Sequence, residues 1–198
     1  MNEKIILRPL APSDVTPSYV SWLNDNDVRR YLGIRHRVQP FTEKDITSFL
    51  QNCIEIKRFH WGIFVNGVHI GNVSCSDWND DNRWIDISYI IGEKKFWGRG
   101  IATPAVGAAI NYLFTFHHYN KITAHAVVEN IASIRLMQKL GMHQDAILRE
   151  NAFFPLDNRF MDEVICSILK REWNSDIADI KDIAVNPMFW ESTPTKLR

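Results

Sequence analysis

Basic residues and closely spaced glycines meet in one short stretch that could bind an anion. The stretch follows an apolar strand pattern, precedes an apolar helix pattern and contains Lys94, Lys95, Gly98, Arg99 and Gly100. Glycine lets successive backbone N–H groups turn toward one point, and the first turn of a helix attracts negative charge. The stretch therefore predicts a diphosphate site, which by itself indicates only a phosphorylated cofactor. A tight turn without a ligand is the alternative.

A dinucleotide cofactor fits this stretch poorly. The fingerprint Gly-x-Gly-x-x-Gly would need a third glycine where Thr103 stands, and an acidic residue at the end of a strand about twenty residues further on, which is missing. That fingerprint usually opens a domain, whereas about ninety residues precede Gly98. These departures favour a different phosphorylated cofactor.

The composition is that of an ordinary globular protein, and it limits the other possibilities. The chain has 198 residues, 45% of them hydrophobic, which suits one domain with a short appendage. Lys+Arg and Asp+Glu are both 23, and this zero net charge argues against a nucleic-acid coat. The three cysteines form no zinc-ligand pattern, and we find no export signal and no membrane-spanning run. We therefore expect a cytoplasmic protein that uses no nucleic acid, membrane or metal.

The elements that position the glycine-rich stretch are predicted from hydrophobic periodicity. Strands are expected at 5–9, 61–65, 68–74, 84–91, 121–128, 146–150 and 160–169, with an Asn66-Gly67 hairpin turn. Helices are expected within 13–31, from the capping residue Thr42 to about Lys57, and at 102–116 and 131–140. This order predicts an α+β domain at 1–173 with a mixed sheet, followed by a partly helical tail at 174–198.

Four segments together resemble the GNAT superfamily of acyltransferases. Lys95-Phe96-Trp97-Gly98-Arg99-Gly100 resembles its motif Gln/Arg-x-x-Gly-x-Gly/Ala. Residues 128–142 resemble its second signature, with Met142 in place of phenylalanine. Residues 7–14 and 162–173 resemble the opening and the close of the branch that includes ribosomal-protein alanine acetyltransferases. The resemblance covers residues 4–173, and its segments occur in order.

The resemblance implies a fold and a cofactor. The fold is a mixed, mostly antiparallel sheet flanked by helices, in which a central pair of parallel strands, ending at Ile91 and Val128, splays apart. The pantetheine arm of acetyl-CoA would lie between these strands like an extra strand. The residues implied for this acyl donor are Ile90, Ile91, Lys95, Trp97, Gly98, Arg99, Gly100, Ile101, Ala102, Asn130 and Ser133.

The implied reaction is transfer of an acetyl group to a primary amine. Asp86 is the first candidate for the base, since it lies on an otherwise apolar strand near where the family often carries a carboxylate. The alternative is a strand carboxylate that is either solvated or in a salt bridge, with Arg83 as the partner. Glu129 is the second candidate. Many family members protonate the leaving thiolate with a tyrosine where Met137 stands, so Ser133 is the candidate acid. Unassisted departure of the thiolate is the alternative, since a thiolate is a tolerable leaving group.

The acceptor is the least determined part of the prediction. Arg29, Arg35 and His36 lie in a cationic cluster between the first helices, the region that forms the acceptor wall in the resembled fold. They could bind an anionic small molecule such as a nucleotide-linked amino sugar, or form a solvated surface. A protein N-terminus is another possible acceptor, and a non-catalytic acyl-CoA-binding or partner-binding module is the alternative function. The tail, with Phe189 and Trp190, could cover the core or a second subunit of a homodimer.

Overall fold

An eight-stranded mixed sheet forms the centre of the computed structural model, which describes residues 3–155 and 157–191. Its strands are β1 (Ile5–Pro9), β2 (His60–Val65), β3 (Val68–Asn79), β4 (Trp84–Ile91), β5 (Lys121–Val127), β6 (His143–Phe154), β7 (Arg159–Leu169) and β8 (Ala184–Val185), in the spatial order β6-β7-β5-β4-β3-β2-β1-β8. The helices are α1 (Pro17–Asn24), α2 (Asn26–Arg29), α3 (Glu43–Glu55), α4 (Ala102–Phe116) and α5 (Ile131–Lys139). The predicted α+β class is confirmed.

Local side-chain chemistry explains why several of these elements begin and end where they do. At the start of α3, the Thr42 hydroxyl accepts a hydrogen bond from the Asp45 backbone N–H, and the Asp45 carboxylate accepts one from the Thr42 backbone N–H. Asn66 and Gly67 have φ values of 50° and 81°, as the tight hairpin turn between β2 and β3 requires. The predicted capping box and hairpin turn are confirmed.

The central parallel pair splays apart as the family resemblance implies. Strands β4 and β5 pair only at their N-terminal ends, where Trp84 to Asp86 lie beside Lys121 to Thr123. Beyond the Asp86–Thr123 pair the ladder stops, although both strands continue. The C-terminal half of β4 therefore has an open edge facing β5, with unpaired backbone groups that can receive an extended ligand.

Apolar side chains cover both faces of the sheet. Helix α4 packs its buried side chains, among them Val106 and Ile110, against the face that carries Ile85 and Ile87. On the opposite face, Trp22 of α1 and residues of α3 form a second cluster. Because alternate strand residues point to opposite faces, Asp86 and Ser88 share the face of the second cluster, whereas Tyr89 shares the face of α4.

The structure differs from the prediction at the sheet edge and in the tail. Strand β6 is longer than the predicted 146–150, and its register shifts between Leu148 and Ala152. Most of this edge strand is exposed, so its sequence lacks the alternation that marks a half-buried strand. In the tail, the periodic isoleucines lead to one 3₁₀ turn, Ser175–Ala178, and then to β8, which pairs in parallel with β1.

Candidate active site

The loop after β4 presents a run of free backbone donors. Gly98 and Gly100 have φ values of 71° and 77°, which side-chain-bearing residues rarely adopt, and both face open space. The backbone N–H groups of residues 98–103 donate to no acceptor in residues 3–155 and 157–191. This run leads into the first turn of α4, whose dipole adds positive potential. The loop can therefore hold an anion with several oxygens.

Most of the charged side chains at the rim of this loop are already paired. The Lys94 ammonium lies 2.7 Å from a carboxylate oxygen of Asp25 and 2.7 Å from one of Asp27. Arg99 pairs with Glu3. Lys95 lies over the Phe96 ring, 5.4 Å from its centre, and makes no ion pair in the described part of the chain. The free N–H groups, more than side-chain charge, are thus the main anion-binding feature.

Ile90 and Ile91 form the end of β4, and Trp97 is hydrogen-bonded to this end. The Trp97 indole N–H donates to the Ile91 carbonyl oxygen over 2.7 Å, and the indole is 44% exposed. Ile101 is buried beneath the loop. The Trp97 contact fastens the loop to the end of β4, so the free donors of the loop keep a fixed position relative to the open strand edge.

A pair of hydroxyl groups lies on the α4 face of the cleft. The Tyr89 hydroxyl is 2.7 Å from the Ser133 hydroxyl, and Asn130 caps α5 by accepting a hydrogen bond from the Ser133 backbone N–H. Burial raises the pKa of Tyr89 to about 12, so its hydroxyl keeps its proton at neutral pH. The sequence analysis missed Tyr89 because its position fits the apolar face of β4. The signal that could have found it is a tyrosine near the end of β4, the strand beside which the predicted site serine of α5 is expected to lie.

Asp86 lies on the opposite face, at the last paired position before the strands diverge. Its carboxylate accepts hydrogen bonds from Ser76 (2.5 Å) and Thr123 (2.9 Å), and His125 Nε2 is 3.3 Å from Oδ2. Burial raises the pKa of Asp86, and the hydrogen bonds and His125 oppose that shift only in part. A carboxylate with a raised pKa beside an imidazole can accept and pass on a proton.

The other predicted site residues are held by protein contacts. The Glu129 carboxylate lies 3.2 Å from Arg159. Arg29 donates to the backbone carbonyls of Arg35 and Arg37, and Arg35 donates to those of Leu32 and Phe153. His36 stacks on Phe153 with ring centres 6.3 Å apart. These contacts order the segment after α2 and bring it against the end of β6.

The three cysteines are free and buried, and they offer no nucleophile to the cleft. Burial raises the pKa of the Cys75 thiol well above its usual value, which suppresses the reactive thiolate. No group of three or more His, Cys, Asp or Glu side chains within residues 3–155 and 157–191 could hold a metal ion. No helix in those ranges is long and apolar enough to cross a membrane.

Comparison with known proteins assigns the chain to a family. Residues 4–143 match the family described as Acetyltransferase (GNAT) domain, so the chain belongs to the GNAT acetyltransferases. It is 33% identical over 177 residues to "Uncharacterized N-acetyltransferase YnaD" of Bacillus subtilis, covering 87% of this chain and 98% of that protein. The resemblance that the sequence analysis drew is confirmed.

Two further comparisons bear on the branch and the fold. Over 87 residues, which are 44% of this chain and 43% of the other protein, the chain is 26% identical to "[Ribosomal protein uS5]-alanine N-acetyltransferase" of Escherichia coli. The fold is shared with spermidine N-acetyltransferase from Vibrio cholerae, solved in complex with CoA and spermine, at a TM-score of 0.75 and 22% identity, covering 85% of this chain and 97% of that one. The splayed GNAT sheet is thus confirmed.

Proposed function

We propose that this GNAT acetyltransferase moves the acetyl group of acetyl-CoA to a primary amine. The observation that carries the proposal is the run of free N–H groups at residues 98–103, which lies at the open end of the split between β4 and β5. One feature fits a diphosphate and the other fits an extended amide-bearing arm, and coenzyme A contains both in that order. A complex of one structural neighbour with CoA supports the same choice.

The residues that would hold the acyl donor are those that the family resemblance implies, and the open edge of β4 and the free donors of the loop support them. The N–H groups of Gly98, Arg99, Gly100, Ile101 and Ala102 bind the diphosphate, with Lys95 at the rim. Ile90 and Ile91 offer their backbone edge to the pantetheine arm, and one of their N–H groups faces the thioester carbonyl. Asn130 keeps its side-chain amide N–H groups free for the arm, since its oxygen caps α5. Trp97 fixes the loop.

In the proposed chemistry, Asp86 prepares the acceptor. The acceptor arrives as an ammonium ion, and Asp86, supported by His125, takes one of its protons so that the nitrogen lone pair is free. A C–N bond then forms to the acetyl carbon and the C–S bond breaks, and the nitrogen, which still carries one proton more than the amide product, releases that proton to solvent. Glu129, already paired with Arg159, is the second candidate for the base.

On the other face, Ser133 and Tyr89 supply the proton that the departing sulfur needs. The Ser133 hydroxyl lies at the cleft, and Tyr89 is hydrogen-bonded to it. Exchange with solvent restores the protonation of both groups and of Asp86 after each cycle. Asp86 and the Tyr89–Ser133 pair lie on opposite faces of β4, so base and acid would approach the thioester from opposite faces of the sheet.

The acceptor we propose is a small amine with an anionic group, for example a nucleotide-linked amino sugar, bound near Arg29, Arg35 and His36. Arg29 and Arg35, which make no ion pair within residues 3–155 and 157–191, and the exposed His36 support this choice. A protein N-terminus is the competing acceptor, which the name of the Escherichia coli relative favours. We also propose a cytoplasmic location, which the three free cysteines support. A homodimer stays a prediction.

Thiol release from acetyl-CoA, measured over a panel of amines, tests the proposal. We expect acetyl-CoA-dependent release with at least one amine, together with calorimetric binding of coenzyme A. A Gly100→Ala variant should bind coenzyme A more weakly, because alanine resists the φ of 77°. Tight binding of acetyl-CoA without turnover on any amine would support the alternative, a non-catalytic acyl-CoA-binding module. No binding at all would contradict both.

A further inference from the structure

A concave site lies beside the cofactor cleft, between the segment after α2 and the tip of the β6–β7 hairpin. The side chains around it include Asp27, Arg29, Arg30, Arg35, Phe154 and Asp157. Arg35 Nε donates to the Phe153 carbonyl oxygen over 3.1 Å, and the Arg35 guanidinium lies over the Phe154 ring, 4.6 Å from its centre. These contacts hold the two walls of the site together.

The charges of this site are not balanced by its own carboxylates. Arg29 and Arg35 make no ion pair within residues 3–155 and 157–191; both donate to backbone carbonyls instead. Arg30 lies 3.6 Å from Asp157, a carboxylate that Arg159 also approaches to 3.7 Å. The other carboxylate, Asp27, is already paired with Lys94. Three guanidinium groups thus face one concavity with an excess of positive charge.

Of the three guanidinium groups, Arg35 is the one whose charge is disfavoured by burial. Desolvation lowers the pKa of Arg35, and the more distant Glu163 opposes this shift only in part. An oxyanion placed among the guanidinium groups would receive charge-assisted hydrogen bonds from N–H groups that the carbonyls leave free. The planar guanidinium fork matches the geometry of both carboxylate and phosphate.

Two chains of contacts join the site to the mouth of the cleft. On one side, Asp27 binds Lys94, which lies in the cofactor loop directly after β4. On the other side, Asp157 and Arg159 lead to Glu129, the neighbour of Asn130. The base of the site also contacts β5, because Phe154 packs in one buried cluster with Val127, the last residue of that strand. A small molecule in this site would therefore be linked through these contacts to residues on both sides of the cleft.

We infer that this site, with Arg30 and Arg35 as its principal donors, binds a carboxylate or phosphate group of the amine acceptor. The inference rests on the proposed acetyltransferase function and names the substrate class: small amines with an oxyanion, in preference to neutral amines and polyamines. Polyamines would place additional positive charge against the arginines, which is unfavourable at such short range. The site therefore selects acceptors by charge.

Matched pairs of amines test the inference. The pairs are O-phosphoethanolamine with ethanolamine, and phenylalanine with phenethylamine, with spermidine and an alanyl peptide as further acceptors. The readout is the ratio of kcat/KM within each pair. We expect the wild-type ratio to favour the anionic member, and Arg30→Gln to lower that ratio about tenfold, the effect of losing one charge-assisted hydrogen bond. The pair with the larger ratio identifies phosphate or carboxylate as the preferred group.

The variants are chosen so that folding and binding can be separated. Arg30 is half exposed and its one ion pair among the described residues is long, at 3.6 Å from Asp157, so Arg30→Gln should fold normally. Arg35→Gln should lower the ratio as well, and its thermal unfolding shows whether the lost backbone contacts also matter. The control is Arg171→Gln, a substitution of an exposed arginine 4.0 Å from Glu172, which should leave the ratio unchanged.

Each remaining outcome decides one of the two proposals. If neutral amines or spermidine are acetylated as well as the anionic amines, and Arg30→Gln changes no ratio, the anion site is wrong and the acetyltransferase function stands. If no amine releases thiol, the proposed function fails, and calorimetry with O-phosphoethanolamine and phenylalanine in the presence of coenzyme A decides the site alone. Binding heat that the wild-type protein gives and the Arg30→Gln variant does not would support the anion site. No binding heat with the wild-type protein would overturn it.

Discussion

At the scale of single residues, the cleft combines one buried carboxylate and one hydroxyl pair on opposite faces of β4. Asp86 and Tyr89 are three positions apart, so strand alternation alone places them on different faces. The sequence identified Asp86 because a carboxylate interrupts an apolar strand. It missed Tyr89, whose aromatic ring satisfies the apolar pattern while its hydroxyl reaches Ser133. The contact joins β4 to α5, so it depends on how the helix packs against the sheet, which the pattern of one strand does not contain.

Replacing Asp86 with asparagine should lower the activity without lowering the stability of the fold. We expect Asp86→Asn to lower kcat/KM about a hundredfold and to remove the rise of kcat/KM with pH, which in the wild type follows the raised pKa of this group. Because burial raises the pKa of Asp86 in the folded state, protonated Asp86 contributes to stability at acid pH. This contribution is lost as the pH rises and the carboxyl group ionises. At neutral pH the substitution removes a poorly solvated charge, so the melting temperature should hold or increase. Unchanged kcat/KM from about pH 6 to about pH 9 would remove Asp86 as the base.

Removing the Tyr89 hydroxyl tests the other face of the cleft. Tyr89→Phe keeps the ring in the core but deprives Ser133 of its partner, so we expect kcat to fall about tenfold or more with little change in the KM for acetyl-CoA. The double variant with Ser133→Ala should be little worse than Ser133→Ala alone, because the two hydroxyls act as one unit. Tyr119→Phe is the control, since that hydroxyl contacts Asp80 instead. Additive losses would show that Tyr89 acts independently of Ser133.

At the scale of elements, the sequence predicted those with a strong local signal and failed where the signal is tertiary. Strand β1 (Ile5–Pro9) and helix α4 (Ala102–Phe116) have the predicted bounds, because hydrophobic periodicity and flanking prolines define them locally. Strand β6 extends far beyond the predicted 146–150, since its pairing with β7 holds residues that have no burial pattern of their own. The position of the segment after α2 against Phe153 could not be predicted either, because those contacts join distant parts of the chain.

Gly92 shows how closely two elements must approach to position the cofactor loop. A Cβ atom at Gly92, directly after β4, would lie 2.2 Å from the Trp22 ring of α1. We expect Gly92→Ala to lower the free energy of unfolding by about 1–3 kcal/mol, as overpacking of a filled core does. It should also weaken coenzyme A binding, because the loop must shift. The measurements are denaturant unfolding and calorimetry.

A matched glycine provides the control for that experiment. Gly33 has open space around the position of a Cβ atom, so Gly33→Ala should leave unfolding and coenzyme A binding unchanged or stabilise the protein slightly. If Gly92→Ala behaved like Gly33→Ala, the approach of α1 to the loop would have no role in positioning the free N–H groups.

At the scale of the whole molecule, the chain after residue 173 is fastened to the domain as a strap. Trp61 donates its indole N–H to the Asn186 carbonyl oxygen over 3.1 Å, and the Asn186 N–H donates to the Leu7 carbonyl oxygen over 2.9 Å. Trp190 packs on Phe59 with ring centres 5.9 Å apart. We propose that the strap protects the β1 edge of the sheet, which would otherwise expose unpaired backbone groups. The last seven residues of the predicted tail, 192–198, lie outside the described residues.

Glu191 provides a further contact between the strap and the domain. Its replacement tests the role of the tail in stability. Its carboxylate accepts a hydrogen bond from the Tyr112 hydroxyl over 2.8 Å, and it contacts His117 and the Met188 backbone N–H. We expect Glu191→Gln to lower the free energy of unfolding by about 1–2 kcal/mol, because glutamine keeps one acceptor but loses the charge. The cleft between β4 and β5 lies several strands away, so kcat/KM of the folded enzyme should not change.

The pH dependence of this anchor follows from His117. Burial lowers the pKa of His117 despite the nearby Glu191 carboxylate, so the folded protein favours the neutral imidazole. Stability should therefore fall as pH drops below the ordinary histidine pKa, and it should fall more steeply in Glu191→Gln, where no carboxylate offsets the protonated ring. Asp182→Asn, an exposed change in the same segment, is the control and should follow the wild-type curve. Equal unfolding curves for Glu191→Gln and the wild type would mean that the strap is held by its apolar contacts and backbone pairing alone.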